Sequence, residues 1–221
     1  MGRTIFIFVF LMAAGVAAQA MGEAAPPQSP RVVDRIVAHI EDDIILQSQV
    51  RELGAFQELV DGQAESDDKL VAELIEQWVV ETEATASHFP QPARSEVDRE
   101  MARLTGQFSS PEKYASRLSE LGLTPTEVRL LLSRQIYVER YIDYKFRPTV
   151  QIDPKEVDTY YQKELLPELA KKNQPAPPLR DVEEQIREVL IQRGISDLTM
   201  KWLDDTKSRL KIEIESGGAK P

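Results

Sequence analysis

The apolar residues of this chain recur with two periods, and the places where the period switches mark its elements. Between Val33 and Val50, VDRIVAHIEDDIILQSQV, two short β-type runs flank an acidic turn and give way at once to helical spacing. Glu41-Asp42-Asp43 stands where a two-residue hairpin favours Asn-Gly or a similar pair. Beyond the hairpin the pattern is helical, and several helix starts are legible. Asp153-Pro154-Lys155-Glu156 and Thr124-Pro125-Thr126-Glu127 each supply a capping side chain, a proline at the first helical position and a glutamate at the third. Ser110-Pro111, and Ser95 with Asp98, are weaker versions. Together these signals predict helices over 47–60, 67–86, 95–107, 111–121, 125–145, 154–170 and 181–207. At the far end Leu210, Ile212 and Ile214 alternate with Lys211, Glu213 and Glu215, as a half-buried strand does. A lone strand needs a partner, so this one is expected to pair with the hairpin. The expected fold is mainly α, a helical core with a small antiparallel sheet built from an N-terminal hairpin and a C-terminal strand.

The segment 125–145 is apolar on two sides. At one hundred degrees per residue, Val128, Leu131, Leu132, Val138 and Ile142 share one face, while Leu130, Tyr137, Tyr141 and Tyr144 gather on the opposite one. The aliphatic face is expected to enter the core. The tyrosine face has two readings: it packs against another helix, as central helices do, or it lines a groove for extended polypeptide. Tyrosine suits the second role because it offers a large amphipathic contact area at low entropic cost. Leu130, Tyr137, Tyr141 and Tyr144 are therefore the candidate binding residues.

The ends and the composition set further bounds. Arg3, the apolar run Ile5 to Val16 and Ala18-Gln19-Ala20 form the three parts of a secretory signal, with cleavage expected after Ala20. That run is well short of the ~20 residues a membrane helix needs, so no membrane insertion is expected of the processed chain. Residues 21–31 read as a flexible leader, 32–172 as hairpin and helical body, 173–180 as a proline-rich linker, 181–215 as a helix and strand completing the same core, and 216–221 as a tail. The absence of cysteine excludes disulfides, thiolate metal sites and cysteine nucleophiles. A formal net charge of −10, made one unit more negative by loss of Arg3, disfavours nucleic acid and anionic membrane as partners.

Candidate chemistry is sparse. The sequence contains no nucleophile elbow, zinc-protease helix, phosphate-binding loop or dinucleotide fingerprint. Asp42-Asp43, Asp67-Asp68 and Asp204-Asp205 fall at turns and helix ends, where adjacent carboxylates are solvated or capping, so no metal or other cofactor is expected. The two histidines, His39 in a strand and His88 in a Ser-His-Phe-Pro loop, lie far apart and without named partners.

Asp34, Arg35, Ile36, Val37 and Ala38, followed by a hairpin and a helix, resemble the opening of the SurA-like family of periplasmic chaperones, whose chains typically start Asp-Arg-Ile-Val-Ala-x-Val. The resemblance extends in order along the helical body, the Asp153-Pro154-capped helix, and a last helix carrying Val182, Ile186, Val189, Leu190, Trp202 and Leu203 before a terminal strand. The family usually inserts parvulin-type prolyl isomerase domains of about a hundred residues before that last helix. Here Asn173 to Leu179, NQPAPPL, occupies the insertion point, and the two histidines lack the parvulin glycine context. The resemblance thus implies a non-enzymatic, ATP-independent periplasmic holdase for unfolded clients, chiefly outer-membrane proteins. Two alternatives stay open: a prolyl isomerase with an unrecognised site, or a helical assembly adaptor that binds one folded partner.

Overall fold

The computed structural model describes residues 34–215. The expected signal peptide, leader and tail lie outside the described residues. The chain is mainly helical with one small antiparallel sheet, as the periodicity predicts. Strand β1 (Ile36–Ile40) and β2 (Asp43–Leu46) form the hairpin, and β3 (Ile212–Ile214) pairs with the other edge of β1, giving the order β2-β1-β3. The register sets Ala38 against Ile214, His39 against Glu213 and Ile40 against Ile212.

The acidic turn ties the hairpin to the segment that leads into β3. Glu41 adopts a φ of 51°, a conformation that glycine or asparagine takes more readily. Lys211, just ahead of β3, holds it there: the Glu41 N–H donates to the Lys211 carbonyl at 2.9 Å, and the Glu41 carboxylate accepts the Lys211 N–H at 2.8 Å. The Asp34-Arg35 pair has a similar local logic. Helix α1 (Gln47–Asp61) follows β2 directly, and its N-cap position is Leu46, which has no side-chain acceptor. Asp34 supplies one from fourteen residues upstream, accepting the Ser48 N–H at 3.2 Å, while the Arg35 carbonyl accepts the Gln47 N–H at 2.8 Å. Hydrogen bonding to Ser48 holds the Asp34 carboxyl below its ordinary pKa.

Helix α2 (Asp67–Ala86) carries Asp67 and Asp68 in its first turn, where the helix dipole favours negative charge. Helices α3 (Arg94–Thr105), α4 (Pro111–Leu121) and α5 (Pro125–Phe146) follow. The expected caps form at α4 and α5: Ser110 Oγ accepts the Lys113 N–H, and Thr124 and Glu127 accept one another's backbone N–H. At α3 the start is shifted, with Ala93 at N-cap and its N–H bound by Glu96, so that Ser95 lies inside the first turn.

After a 3-10 turn at Arg147–Thr149, Asp153 caps α6 (Pro154–Tyr160) by accepting the Lys155 N–H at 2.8 Å. A π-helical segment, Tyr161–Leu165, then links α6 to α7 (Leu166–Lys171). Pro167 gives the reason, since a proline within a helix removes a donor and crowds the preceding turn, which a widened turn relieves. Asn173, at φ 52°, ends the helix, and Tyr161 Oη donates to the Pro177 carbonyl at 2.7 Å, pinning the proline-rich connection. Helix α8 (Leu179–Lys207) starts right after Pro178 and leads back to β3.

Three apolar clusters hold these elements together. The inner face of the sheet packs on α1 and α2 through Ala38, Ile40, Val50, Leu53, Leu70 and Leu74. A second cluster joins α1, α3, α4 and the first half of α5 through Phe56, Leu59, Leu104, Leu118, Val128 and Leu132. The third joins α2, the second half of α5 and α8 through Val79, Val80, Ala84, Tyr137, Tyr141 and Leu203.

Candidate functional site

Helix α5 changes its buried face halfway along. In its first half the aliphatic face is core, with Val128 fully buried and Leu132 nearly so, while Leu130 on the other side is 64% exposed. In its second half the assignment inverts. Tyr137 and Tyr141 are only 4% and 2% exposed, and Val138 and Ile142 are half-buried at the edge of the third cluster. A residue outside the helix causes the switch. Phe89, in the loop after α2, packs on the tyrosines with ring centroids 5.8 Å from Tyr137, 5.4 Å from Tyr141 and 5.2 Å from Tyr144. Both buried phenols are satisfied, Tyr137 Oη donating to the Phe89 carbonyl and Tyr141 Oη lying 3.3 Å from Ser87 Oγ.

Of the four expected binding residues, Tyr137 and Tyr141 are therefore mainly core side chains, although Tyr137 also borders one surface depression together with Leu130. Tyr144, one turn further on, is 65% exposed and covers Phe89 from outside. Leu130 stands apart from it, beside a polar depression bordered by Gln49, Glu52, Glu81 and Arg134. Burial pushes the Glu81 carboxyl up, against the Arg134 guanidinium 2.7 Å away.

The inversion leaves an opening elsewhere. Because the second half of α5 buries its tyrosines, Val138 and Ile142 turn towards α8 and are covered only in part. Two cavities flank this line, both bordered by Ile142, Glu139, Gln192 and Ile195. One, of about 520 Å³, lies over α2 and is lined by Val80, Val138, Met200 and Leu203. The other, of about 760 Å³, extends past Phe89 to Tyr144. Together they form a groove with an apolar floor, and Met200, 56% exposed, stands on its wall. From Gln192 to Leu203 the α8 wall rises about 17 Å, enough for about five residues of extended chain. Gly194 in that wall lets α8 approach the segment after α5, since a Cβ there would meet Val150 Cγ1 at 2.7 Å.

The rim of the groove is acidic. Glu76 is paired with Lys207 at 2.7 Å, and Asp143 with Arg147 at 2.7 Å. Glu73 and Glu139 instead take hydrogen bonds from glutamines, Glu73 from Gln57 and Gln77, Glu139 from Gln135. Burial pushes the Glu73 carboxyl above the usual carboxylate range, and the like charge of Glu76 adds to that. Arg140, which also borders the groove, is engaged by Glu96 at 3.2 Å and lies over the Phe89 ring.

The histidines do not meet. His39 Nε2 lies 3.8 Å from Glu215 at the sheet, and His88 sits at φ 55° in the loop before Phe89. Among the described residues no group of three or more histidines and carboxylates is placed to hold a metal ion, and no helix is long and apolar enough to cross a membrane. Periodicity within α5 assigns Val138 and Ile142 to the core and does not reveal the exposure of Met200. The α8 pattern of Ile195, Thr199, Met200 and Leu203 was the available signal, a second apolar stripe facing α5. No protein-family model matches this chain, and no curated protein sequence matches it.

Proposed function

We propose that the chain is an ATP-independent holdase of the periplasm that binds unfolded polypeptides, outer-membrane proteins in particular, along the groove between α5 and α8. The observation that carries this reading is the groove's open apolar lining: Val138 and Ile142 on the floor and Met200 on the wall stay accessible between two long helices, in a channel sized for a short extended segment. Weak contacts of that kind delay aggregation without trapping a client, which suits a compartment lacking ATP. The resemblance of Asp34–Ala38 and of the element order to SurA-like chaperones, and the short connection from Lys171 to Leu179 where that family carries isomerase domains, support the same reading.

Site-specific photo-crosslinking tests it. A photoreactive residue replacing Met200 should capture an unfolded outer-membrane β-barrel protein, whereas one replacing the exposed Arg99 on α3 should not. Capture of a single folded partner, with indifference to the unfolded barrel, would favour the assembly-adaptor alternative and reject the holdase.

A further inference from the structure

Taking the groove between α5 and α8 as a polypeptide-binding site, we propose that it selects extended segments in which apolar side chains alternate with lysine or arginine. The groove's apolar floor and acidic rim complement such a segment. The floor is aliphatic, with half-buried Val138 and Ile142 over the buried Ile195, so alternate side chains of a bound strand meet apolar surface. The side chains between them point outward, towards Glu73 on α2 and Glu139 on α5.

Those two carboxylates are the uncommitted charges of the site. Glu76 already faces Lys207, Asp143 faces Arg147, and the bordering cation Arg140 is engaged by Glu96. Glu73 and Glu139 are hydrogen-bonded to glutamines alone among the described residues, so neither charge is neutralised within the fold. Glu73, half-buried beside apolar surface, gains more from an incoming ammonium or guanidinium than a free surface carboxylate does, and the exposed Glu139 adds a second, weaker attraction. An anionic segment would set like charge against both and be rejected.

The test measures binding of three extended nonapeptides to the full processed chain, with leucine at alternate positions and lysine, serine or glutamate between. At low salt the lysine peptide should bind tighter than the serine peptide by roughly 3- to 10-fold, the span expected of two partly exposed ion pairs, and the glutamate peptide weakest. The preference should fade at high salt. In E73Q/E139Q the lysine-to-serine ratio should drop towards one, with E139Q alone intermediate. E184Q, at the far end of α8, should keep the wild-type ratio and so separates the groove from the chain's overall negative charge. An unchanged ratio in E73Q/E139Q, or an equal fall in E184Q, overturns the selectivity. If no peptide of any charge binds, the groove itself is not the site and the selectivity falls with it. Binding of all three peptides equally leaves the groove standing and rejects its charge preference alone.

Discussion

Replacing Tyr141 by alanine separates the structural tyrosines from the exposed one. Tyr141 is 2% exposed and meets Phe89 edge-on at 5.4 Å. A buried aromatic ring removes about 200 Å² from water, worth about 5 kcal/mol at 25 cal/mol per Å². The phenol hydroxyl lowers that sum, and aromatic-to-alanine changes in cores fall at about 3–5 kcal/mol. At about 2–4 °C per kcal/mol for a domain of this size, Tyr141→Ala should lower Tm by roughly 6–20 °C. Tyr144→Ala removes a 65% exposed ring that touches Phe89 from outside, so its cost should stay at about 1 kcal/mol or less. Urea and thermal unfolding of both variants, followed by circular dichroism, measure the difference. A double-mutant cycle of Tyr141→Ala with Phe89→Ala should also show coupling of about 0.5–1.5 kcal/mol. Equal and small effects at positions 141 and 144 would refute the inverted burial of α5, and with it the origin of the groove.

Truncation after Ser208 removes β3 and the two hydrogen bonds that hold Glu41 in its turn, so the melting temperature of the whole fold should fall; a truncated chain that melts like the intact one would show that the sheet does not close the core. Gly194→Ala should destabilise although alanine is the better helix former, because its Cβ would collide with Val150, and a raised Tm would contradict the close approach. Acid should act partly through Glu188, whose carboxyl is held at about 2 by the two-pronged Arg147 guanidinium and by Gln192. Because that folded pKa lies below the ordinary 4.5, the contribution is complete above about pH 4.5 and is lost as pH falls towards 2. Glu73 and Glu81, pushed up mainly by burial, act in the opposite sense: their contribution is complete below the ordinary carboxylate value and is lost as pH rises from there through their raised folded values. Glu188→Gln should flatten the loss of stability between pH 4.5 and 2, and an unaltered acid profile would reject the Arg147 clamp as its source.

Signals confined to a few neighbouring residues were legible in the sequence. Thr124 with Glu127 and Asp153 with Glu156 marked their helix starts because each cap is made within four residues. The alternation of Leu210, Ile212 and Ile214 marked a strand, although Ile214 ends up exposed beyond the edge of the core. What escaped depended on contacts distant in sequence. The start of α1 leans on Asp34, across the whole hairpin. The π turn before Pro167 has no periodic signature of its own. The candidate site was the least legible part, since a helical wheel shows which residues share a face but not what lies opposite. Phe89, some fifty residues before the tyrosines, decides that Tyr137 and Tyr141 are core and leaves Val138 and Ile142 to the groove.

As the proposed client site, the groove between α5 and α8 should keep unfolded chains from aggregating. Light scattering measures it most directly, as an unfolded outer-membrane β-barrel protein is diluted from urea into buffer containing the processed chain. The wild-type chain should suppress the scattering, and Tyr144→Asp with Met200→Asp, both exposed and each expected to shift Tm by only a few degrees, should abolish the suppression. Full suppression by that doubly charged variant, or none by the wild-type chain, would contradict that role for the groove.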